Sequence, residues 1–287
     1  MGEPPSSVWI KFKVSSEEAL GTARRLARSF EMAGVRVYLD PLLARLLELP
    51  DKTLKETSIA DTVDMAVVVG GDGTLLRLFQ STGGNLPLVL GINSDRIGFL
   101  YDFDWRFAEE LVKKIVSGDF WVEERSTGLA RFLGYEMCFV SEIAIGGRVN
   151  FKMARLEVYV DGEFLYKGRM DGLIVSTTTG SSAYAFSAGG PFVDPSLDAI
   201  VVVPLAPFSP LLKPVILSPS RKITIRMLKD GALSLDGIVM HAVPLGTEIE
   251  VRLKPKGLKL VRVKGGLPLH RRLKARLLDL PPWAIEG

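Results

Sequence analysis

One cysteine, Cys138, stands in 287 residues. A lone thiol closes no internal disulfide and builds no cysteine-rich metal site; it reads as a buried, inert group. Amides are scarce too, with Gln80 the only glutamine. Few amides beside many charges fit a heat-adapted protein. No apolar run approaches the ~20 residues that span a bilayer. Met1–Ser7 has neither the basic nor the apolar region of a signal peptide. A cytoplasmic protein with no membrane partner is expected from these absences. An excess of one charge is missing as well: 36 Lys+Arg stand against 33 Asp+Glu, a net +3. That balance is too even to argue for nucleic acid. The exception is local. From Val251 to Arg276 there are ten Lys/Arg and no Asp or Glu. Such a stretch either attracts polyanions such as nucleotides or forms a solvated charged face.

What is present is enough apolar material, 47% of the chain, for two ordinary domains. The organising stretch is MAVVVGGDGTLLRLF, Met65 to Phe79. Met65 to Val69 reads as a strand buried on both faces. Gly70-Gly71-Asp72-Gly73-Thr74 follows, and Leu75, Leu76, Leu78 and Phe79 open a helical pattern. The three glycines are expected to supply positive φ and to let a ligand approach. The free N–H groups of the helix start suit an anion such as phosphate. Asp72, a carboxylate inside that turn, would repel phosphate unless it accepts a proton or holds a metal ion. The competing reading makes Asp72 an ordinary helix cap.

The spacing predicts a strand over Val8–Val14 and a helix over Ser15–Met32, with Ser15 and Glu18 as a capping box. Strands are predicted at Val35–Leu39, Val63–Val69 and Leu88–Ile92, and helices at Leu42–Leu49 and Trp105–Ser117. This alternation implies a parallel, Rossmann-like sheet. Ligands collect beyond the carboxyl ends of such strands, where Asp72 and Asn93 both fall. After about residue 120 the segments turn short and extended: Phe120–Val122, Leu129–Leu133, Tyr135–Ile145, Leu173–Val175, Ala199–Val203, Lys222–Met227, Ala232–Leu235, Glu248–Leu253 and Leu258–Val263. Leu156–Val160 and Phe164–Tyr166, joined by Asp161-Gly162, read as a hairpin with a type I′ turn. Leu267–Leu280 reads as helix. The expected fold is therefore an α/β Rossmann-like domain over residues 1–122 and a β-rich, β-sandwich-like domain over 123–264. The C-terminal helical segment, 265–287, returns to the first domain.

A second landmark runs from Arg169 to Asp194. Ten of the twelve residues Ser176–Ser187 are Gly, Ala, Ser or Thr, which leaves room for a ligand and offers hydroxyl and N–H donors. Tyr184 could stack on a base or bond a ribose. The alternative is a plain surface loop.

GGDGT at Gly70–Thr74, GINSDRIGFL at Gly91–Leu100 and DGLIVSTTTGSSAYAFSAGGP at Asp171–Pro191 together resemble the NAD kinase family. GGDGT alone is shared with diacylglycerol and sphingosine kinases; the second landmark is far more specific, and the likeness covers roughly residues 63 to 240. The resemblance implies phosphorylation of the adenosine-ribose 2′-hydroxyl of NAD to NADP, with ATP or polyphosphate as donor and Mg²⁺ or another divalent ion. It implies that Asp72 is the base and that Gly71, Gly73 and Thr74 lie against the nucleotide. Ser141-Glu142 stand at the family's Asn-Glu pair, Lys152 and Arg169 near the ligand, and Asp171 at the nicotinamide end. Thr179, Ser182, Ala183, Tyr184, Ala185, Phe186 and Ser187 line the dinucleotide site, and Asn93 joins them. Arg77, one turn into the helix, reaches phosphate or is simply solvated. No residue is assigned to the metal. A homodimer or homotetramer is implied by the resemblance alone.

The sequence departs from the family pattern at Ser141 (usually Asn), Thr178 (usually Pro), Ser182 (usually Thr) and Ile238 after Asp236-Gly237 (often an amide). His241 and His270 receive no role. Two rival readings stay open: a lipid kinase, and a non-catalytic dinucleotide-binding regulator.

Overall fold

The computed structural model describes residues 2–94, 98–147 and 153–278. The chain forms two compact units, Met1–Glu124 with Leu258–Gly287, and Arg125–Gly257.

In the first unit, β1 (Ser7–Phe12), α1 (Glu17–Met32), β2 (Arg36–Leu39), α2 (Pro41–Leu46), α3 (Ile59–Thr62), β3 (Met65–Gly70), α4 (Asp72–Ser81), β4 (Leu88–Asn93), β5 (Phe103–Asp104) and α5 (Ala108–Val116) follow one another. Four strands lie parallel in the order β2-β1-β3-β4. β3 is buried at every residue, as its unbroken apolar run requires of a central strand. α1 buries Ala19, Ala23, Leu26, Ala27 and Phe30 on one face, the spacing expected of an amphipathic helix. Those side chains join Val8, Ile10, Val67 and Val69 of the sheet and Leu111 and Ile115 of α5 in a single core.

The cap of α1 differs from expectation. Ser16, not Ser15, is the N-cap: its backbone is extended and its Oγ accepts from Ala19 N at 3.1 Å. A turn in which Ser16 N donates to Lys13 O sets this register. Two neighbouring serines have the same capping chemistry, and only the turn chooses between them.

The second unit is antiparallel and β-rich. It comprises most of β6 (Trp121–Phe132), then β7 (Tyr135–Phe139), β8 (Glu142–Gly147), β9 (Ala154–Val160), β10 (Glu163–Met170), β11 (Gly172–Ser176), the single turn α6 (Tyr184–Ser187), β12 (Ile200–Leu205), β13 (Val215–Leu217), β14 (Ile223–Met227), β15 (Gly231–Leu235), β16 (Val239–Val243) and the first part of β17 (Glu248–Arg262). One sheet has the order β13-β12-β11-β8-β15-β16; the other runs β10-β9-β14-β17, with β6 attached to β17 and β7 to β6. Ile143, Ile145, Leu173 and Val175 of the first meet Leu156, Val158, Ile223 and Ile249 of the second in one core, which makes a sandwich. The hairpin at Asp161-Gly162 has φ of 51° and 88° there, the left-handed pair its turn type demands.

The fold class is the one expected, an α/β unit followed by a β-sandwich, with the C-terminal helix α7 (Leu269–Leu278) in the first unit. Segment limits differ where polar stretches looked like breaks. The predicted strands at 120–122 and 129–133 are one strand, β6, and those at 248–253 and 258–263 are one strand, β17. These two strands pair with each other, and a backbone ladder does not depend on side-chain polarity. Tyr135–Ile145 breaks at Val140-Ser141 into β7 and β8, and β5, β13 and β16 had no sequence signal.

Capping by a serine contributes about 1 kcal/mol. Ser16→Ala should therefore cost about that much in urea denaturation, while Ser15→Ala stays within about 0.5 kcal/mol of the parent. Equal losses would place the cap differently.

Candidate functional site

In the first unit the site grows from the carboxyl ends of β3 and β4. Gly70 and Asn93 are register partners there, and Ser94 N donates to Gly70 O at 3.0 Å. Gly70, Gly71 and Gly73 do not use positive φ, contrary to expectation; Gly71, the N-cap of α4, has φ −100°. The requirement at Gly70 is space. A Cβ there would lie 2.4 Å from Thr74 Oγ1 and 3.1 Å from Lys13 Cβ. Arg77 is exposed, its guanidinium 3.4 Å from its own helix's Gly73 O.

Asp72 is the first residue of α4 and does not cap it. Its Oδ2 accepts from Phe99 N at 2.8 Å and its Oδ1 from Leu100 N at 3.1 Å. Gly98 permits the approach, since a Cβ on it would fall 2.9 Å from Asp72 Oδ1 and 3.8 Å from Asn93 Cγ. Asp72, Asn93 and the Gly98–Leu100 backbone thus converge. Burial pushes the Asp72 carboxyl above the usual carboxylate range, against the opposing pull of those two N–H groups and of the Arg272 and Arg262 charges. Part of Asp72 still reaches solvent. A carboxylate of raised basicity, oriented by two N–H donors, is equipped to accept a proton.

The segment that holds Asp72 is itself held from its other side. Arg272 Nη1 donates to Phe99 O at 2.7 Å and Arg262 Nη1 to Leu100 O at 2.8 Å. Asp102 pairs with both guanidinium groups, at 2.8 and 3.2 Å, and Glu123 pairs with Arg262. Both arginines are buried. The basic stretch at 251–276 is therefore not wholly a solvated face: these two of its members are structural to the Asp72 cluster. Sequence reading missed them, and the charge run was their only signal. A cavity of ≈ 350 Å³ opens alongside, lined in part by Asn93, Gly98, Asp102, Lys264 and Arg271.

In the second unit the small-residue stretch leaves the end of β11 as a 3-10 turn, Thr179–Ser182, followed by α6. Its hydroxyls mostly bond the loop's own surroundings. Ser176 Oγ donates to Ser141 O, Thr177 Oγ1 to Val140 O and Ser181 Oγ to Thr178 O, at 3.1, 2.7 and 2.7 Å. Ser182 Oγ donates to Thr179 O and Ser187 Oγ to Ala183 O, at 3.2 and 3.4 Å. These bonds satisfy buried backbone carbonyls, so the stretch is a braced platform. Gly180 is fixed by crowding, for its Cβ would lie 2.1 Å from Ser141 O. Ala185, expected in the dinucleotide site, turns its methyl into an apolar cluster with Ile174, Val201 and Val203. Ala183 and Phe186 are half-buried, and Tyr184 is exposed.

Asp236 anchors the opposite side of this platform. Its carboxylate accepts from Val140, Ser141 and Glu142 N at 3.0, 2.7 and 3.3 Å, from a hairpin turn with φ 51°. Glu142 is buried and its Oε2 has no partner among the described residues; Thr179 Oγ1 is in the same condition. Burial, with the Asp236 charge adding to it, pushes the Glu142 carboxyl up to about 8. Asp171 and Tyr184 line one cavity of ≈ 340 Å³ on the sheet face, with Gly146, Ser234 and Met240. Arg169 is exposed and stacks on the Phe208 ring at 4.1 Å. Lys152 lies outside the described residues. His241 packs edge-on against Phe132, and His270 is exposed on α7.

The described residues contain no group of three or more His, Cys, Asp or Glu side chains able to hold a metal ion. They also contain no helix long and apolar enough to cross a membrane.

Residues 8–120 match the model of the ATP-NAD kinase N-terminal domain, and residues 141–263 that of the ATP-NAD kinase C-terminal domain. The chain is 36% identical to an NAD kinase of Thermococcus kodakarensis over 252 residues, 85% of this chain and 90% of that one. It is 33% identical to an NAD kinase of Erwinia tasmaniensis over 273 residues, covering 92% and 94% of the two. Among solved structures it is similar to yeast NADH kinase complexed with NADH, with TM-score 0.88 and 25% identity over 96% of this chain and 88% of that one. It is also similar to an NAD kinase of Archaeoglobus fulgidus in complex with ATP, with TM-score 0.72 and 28% identity over 98% and 100%.

The raised value at Glu142 has a thermodynamic sign. The folded chain holds that proton to higher pH than the unfolded chain, so the contribution is full below about 4.5 and is lost as pH rises towards about 8. Glu142→Gln should remove this loss: its melting temperature should gain on the parent's between about pH 5 and about pH 9. Parallel curves would mean that Glu142 is already ionised at neutral pH.

Proposed function

The chain belongs to the NAD kinase family, and from that premise we propose a specific reaction: transfer of the γ-phosphoryl group of ATP to the 2′-hydroxyl of the adenosine ribose of NAD, giving NADP, with Asp72 as general base. Membership removes the lipid-kinase and non-catalytic readings. The observation that carries the proposal is the Asp72 carboxylate: raised in basicity by burial, and oriented by the N–H groups of Phe99 and Leu100.

A ribose hydroxyl is a weak nucleophile at neutral pH. As its oxygen bonds to the γ-phosphorus, Asp72 takes its proton and the bond to the β–γ bridging oxygen breaks, releasing ADP. The chain's task is positioning and charge stabilisation, because phosphoryl transfer asks little covalent chemistry of the protein. The donor is assigned as ATP because a structural relative was solved with ATP. Glu142 and Thr179, each with a buried unpartnered oxygen, are suited to ligand hydroxyls, and Asp171 and Tyr184 to the nicotinamide end in their shared cavity. A divalent ion would neutralise charge on the nucleotide phosphates.

The assay supplies ATP, Mg²⁺ and NAD and measures NADP, with polyphosphate and NADH as the alternative donor and acceptor. Asp72→Asn should keep dinucleotide affinity within a few-fold and lose about 10²–10⁴ in kcat. Near-parental kcat would remove Asp72 from the base role. The chain is further read as a homodimer or homotetramer, in keeping with exposed apolar side chains on the second unit such as Phe208 and Leu211, 67% and 86% exposed. A solution mass near one chain, 31.4 kDa, would overturn that reading.

A further inference from the structure

Arg272 reaches Asp72 through a single peptide group. The carbonyl of Phe99 and the N–H of Leu100 belong to one planar trans peptide and point in opposite directions. Arg272 Nη1 donates to that carbonyl at 2.7 Å, and the same peptide's N–H donates to Asp72 Oδ1 at 3.1 Å. The guanidinium and the carboxylate therefore grip the two ends of one rigid plate. A charged donor on the carbonyl also strengthens the N–H on the far side. Asp102 steadies Arg272 at 2.8 Å, and Leu267 N donates to Asp102 O at 2.9 Å, tying the start of the C-terminal segment to the same place.

We propose that Arg272, brought by α7, is a positioning residue of the phosphoryl transfer, fixing the orientation and charge state of Asp72 across the Phe99–Leu100 peptide. The proposal rests on reading Asp72 as the base. It extends the site to a residue 173 positions beyond the peptide it clamps. Among the described residues, the charged groups bearing on Asp72 are Arg272 of α7, Arg262 of β17 and, through them, Asp102 and Glu123. Lys13 adjoins Gly70 beside the turn, and Arg77 lies on Asp72's own helix. Arg262 bonds the next carbonyl, Leu100 O, and so fixes a different peptide plane. Among the described residues, Arg272 alone combines a charge near Asp72 with a bond to the plate that serves it.

The test compares parent, Arg272→Met, Arg272→Lys and Asp72→Asn by pH profiles of kcat, by KM for NAD and by thermal unfolding. Arg272→Met should lower kcat about tenfold or more while KM for NAD stays within about threefold. The acid limb of kcat should move up by about one pH unit, because a cation that favours the carboxylate is gone. Arg272→Lys keeps the charge, so its limb should stay in place and its kcat should recover to within about threefold. A folded Arg272→Met with parental kcat and an unmoved limb overturns the proposal. So does a rise in KM with kcat unchanged. If the methionine variant does not fold, Arg272→Gln replaces it. Glutamine keeps an N–H donor on the side chain but carries no charge, and an unmoved limb there is equally decisive against the proposal. The underlying reading fails separately, by near-parental kcat in Asp72→Asn whatever the Arg272 variants do.

Discussion

The Asp72 carboxylate accepting from the N–H groups of Phe99 and Leu100 is the contact on which the proposed chemistry depends. It joins two sequence motifs at the carboxyl edge of a parallel sheet, where backbone ends are free to meet a ligand. The geometry exists because three things are small or planar at once. Gly70 lets the turn close on Thr74, Gly98 lets the carboxylate reach the backbone, and the Phe99–Leu100 peptide is rigid. An acid placed there is caught between burial, which favours the proton, and donors and arginines, which favour the anion. Burial is the largest of these influences, so the carboxyl stands above the usual carboxylate range.

The second unit solves a different problem. A polar stretch of small residues is held in one conformation without a large core of its own. Its hydroxyls bond buried carbonyls at Val140, Ser141 and Thr178, and Asp236 bonds the three N–H groups facing it. With those needs met, Thr179 Oγ1 and Glu142 Oε2 are among the buried oxygens left without a partner among the described residues. Unsatisfied buried oxygens are costly, and a ligand that supplies donors relieves the cost. Asp72 and Glu142 are thus both raised by burial, but Asp72 is held by donors and Glu142 lacks them.

Much of this was legible in the chain alone. The unbroken run at Met65–Val69 gave a buried central strand, Asp161-Gly162 a hairpin, and the spacing of Ala19, Ala23, Leu26 and Phe30 a helix face. These are local properties, set by side-chain periodicity and backbone preference within a few residues. Asp72 and Asn93 were legible as neighbours because consecutive parallel strands end at the same edge. The family, too, was written in three short motifs.

What the sequence could not state were relations between distant residues. It offered two serines for one cap, and a turn at Lys13 chose Ser16. It suggested backbone freedom at the glycines of GGDGT, where none has positive φ and Gly70 requires only space. It displayed a run of positive charge without marking Arg262 and Arg272 as the buried pair that holds Phe99 and Leu100. Periodicity and motif are carried by neighbours along the chain, so the sequence determined the elements and the chemistry present. Burial, crowding and charge pairing join residues far apart in the chain, so only the tertiary structure decided which acid is basic and which arginine serves it.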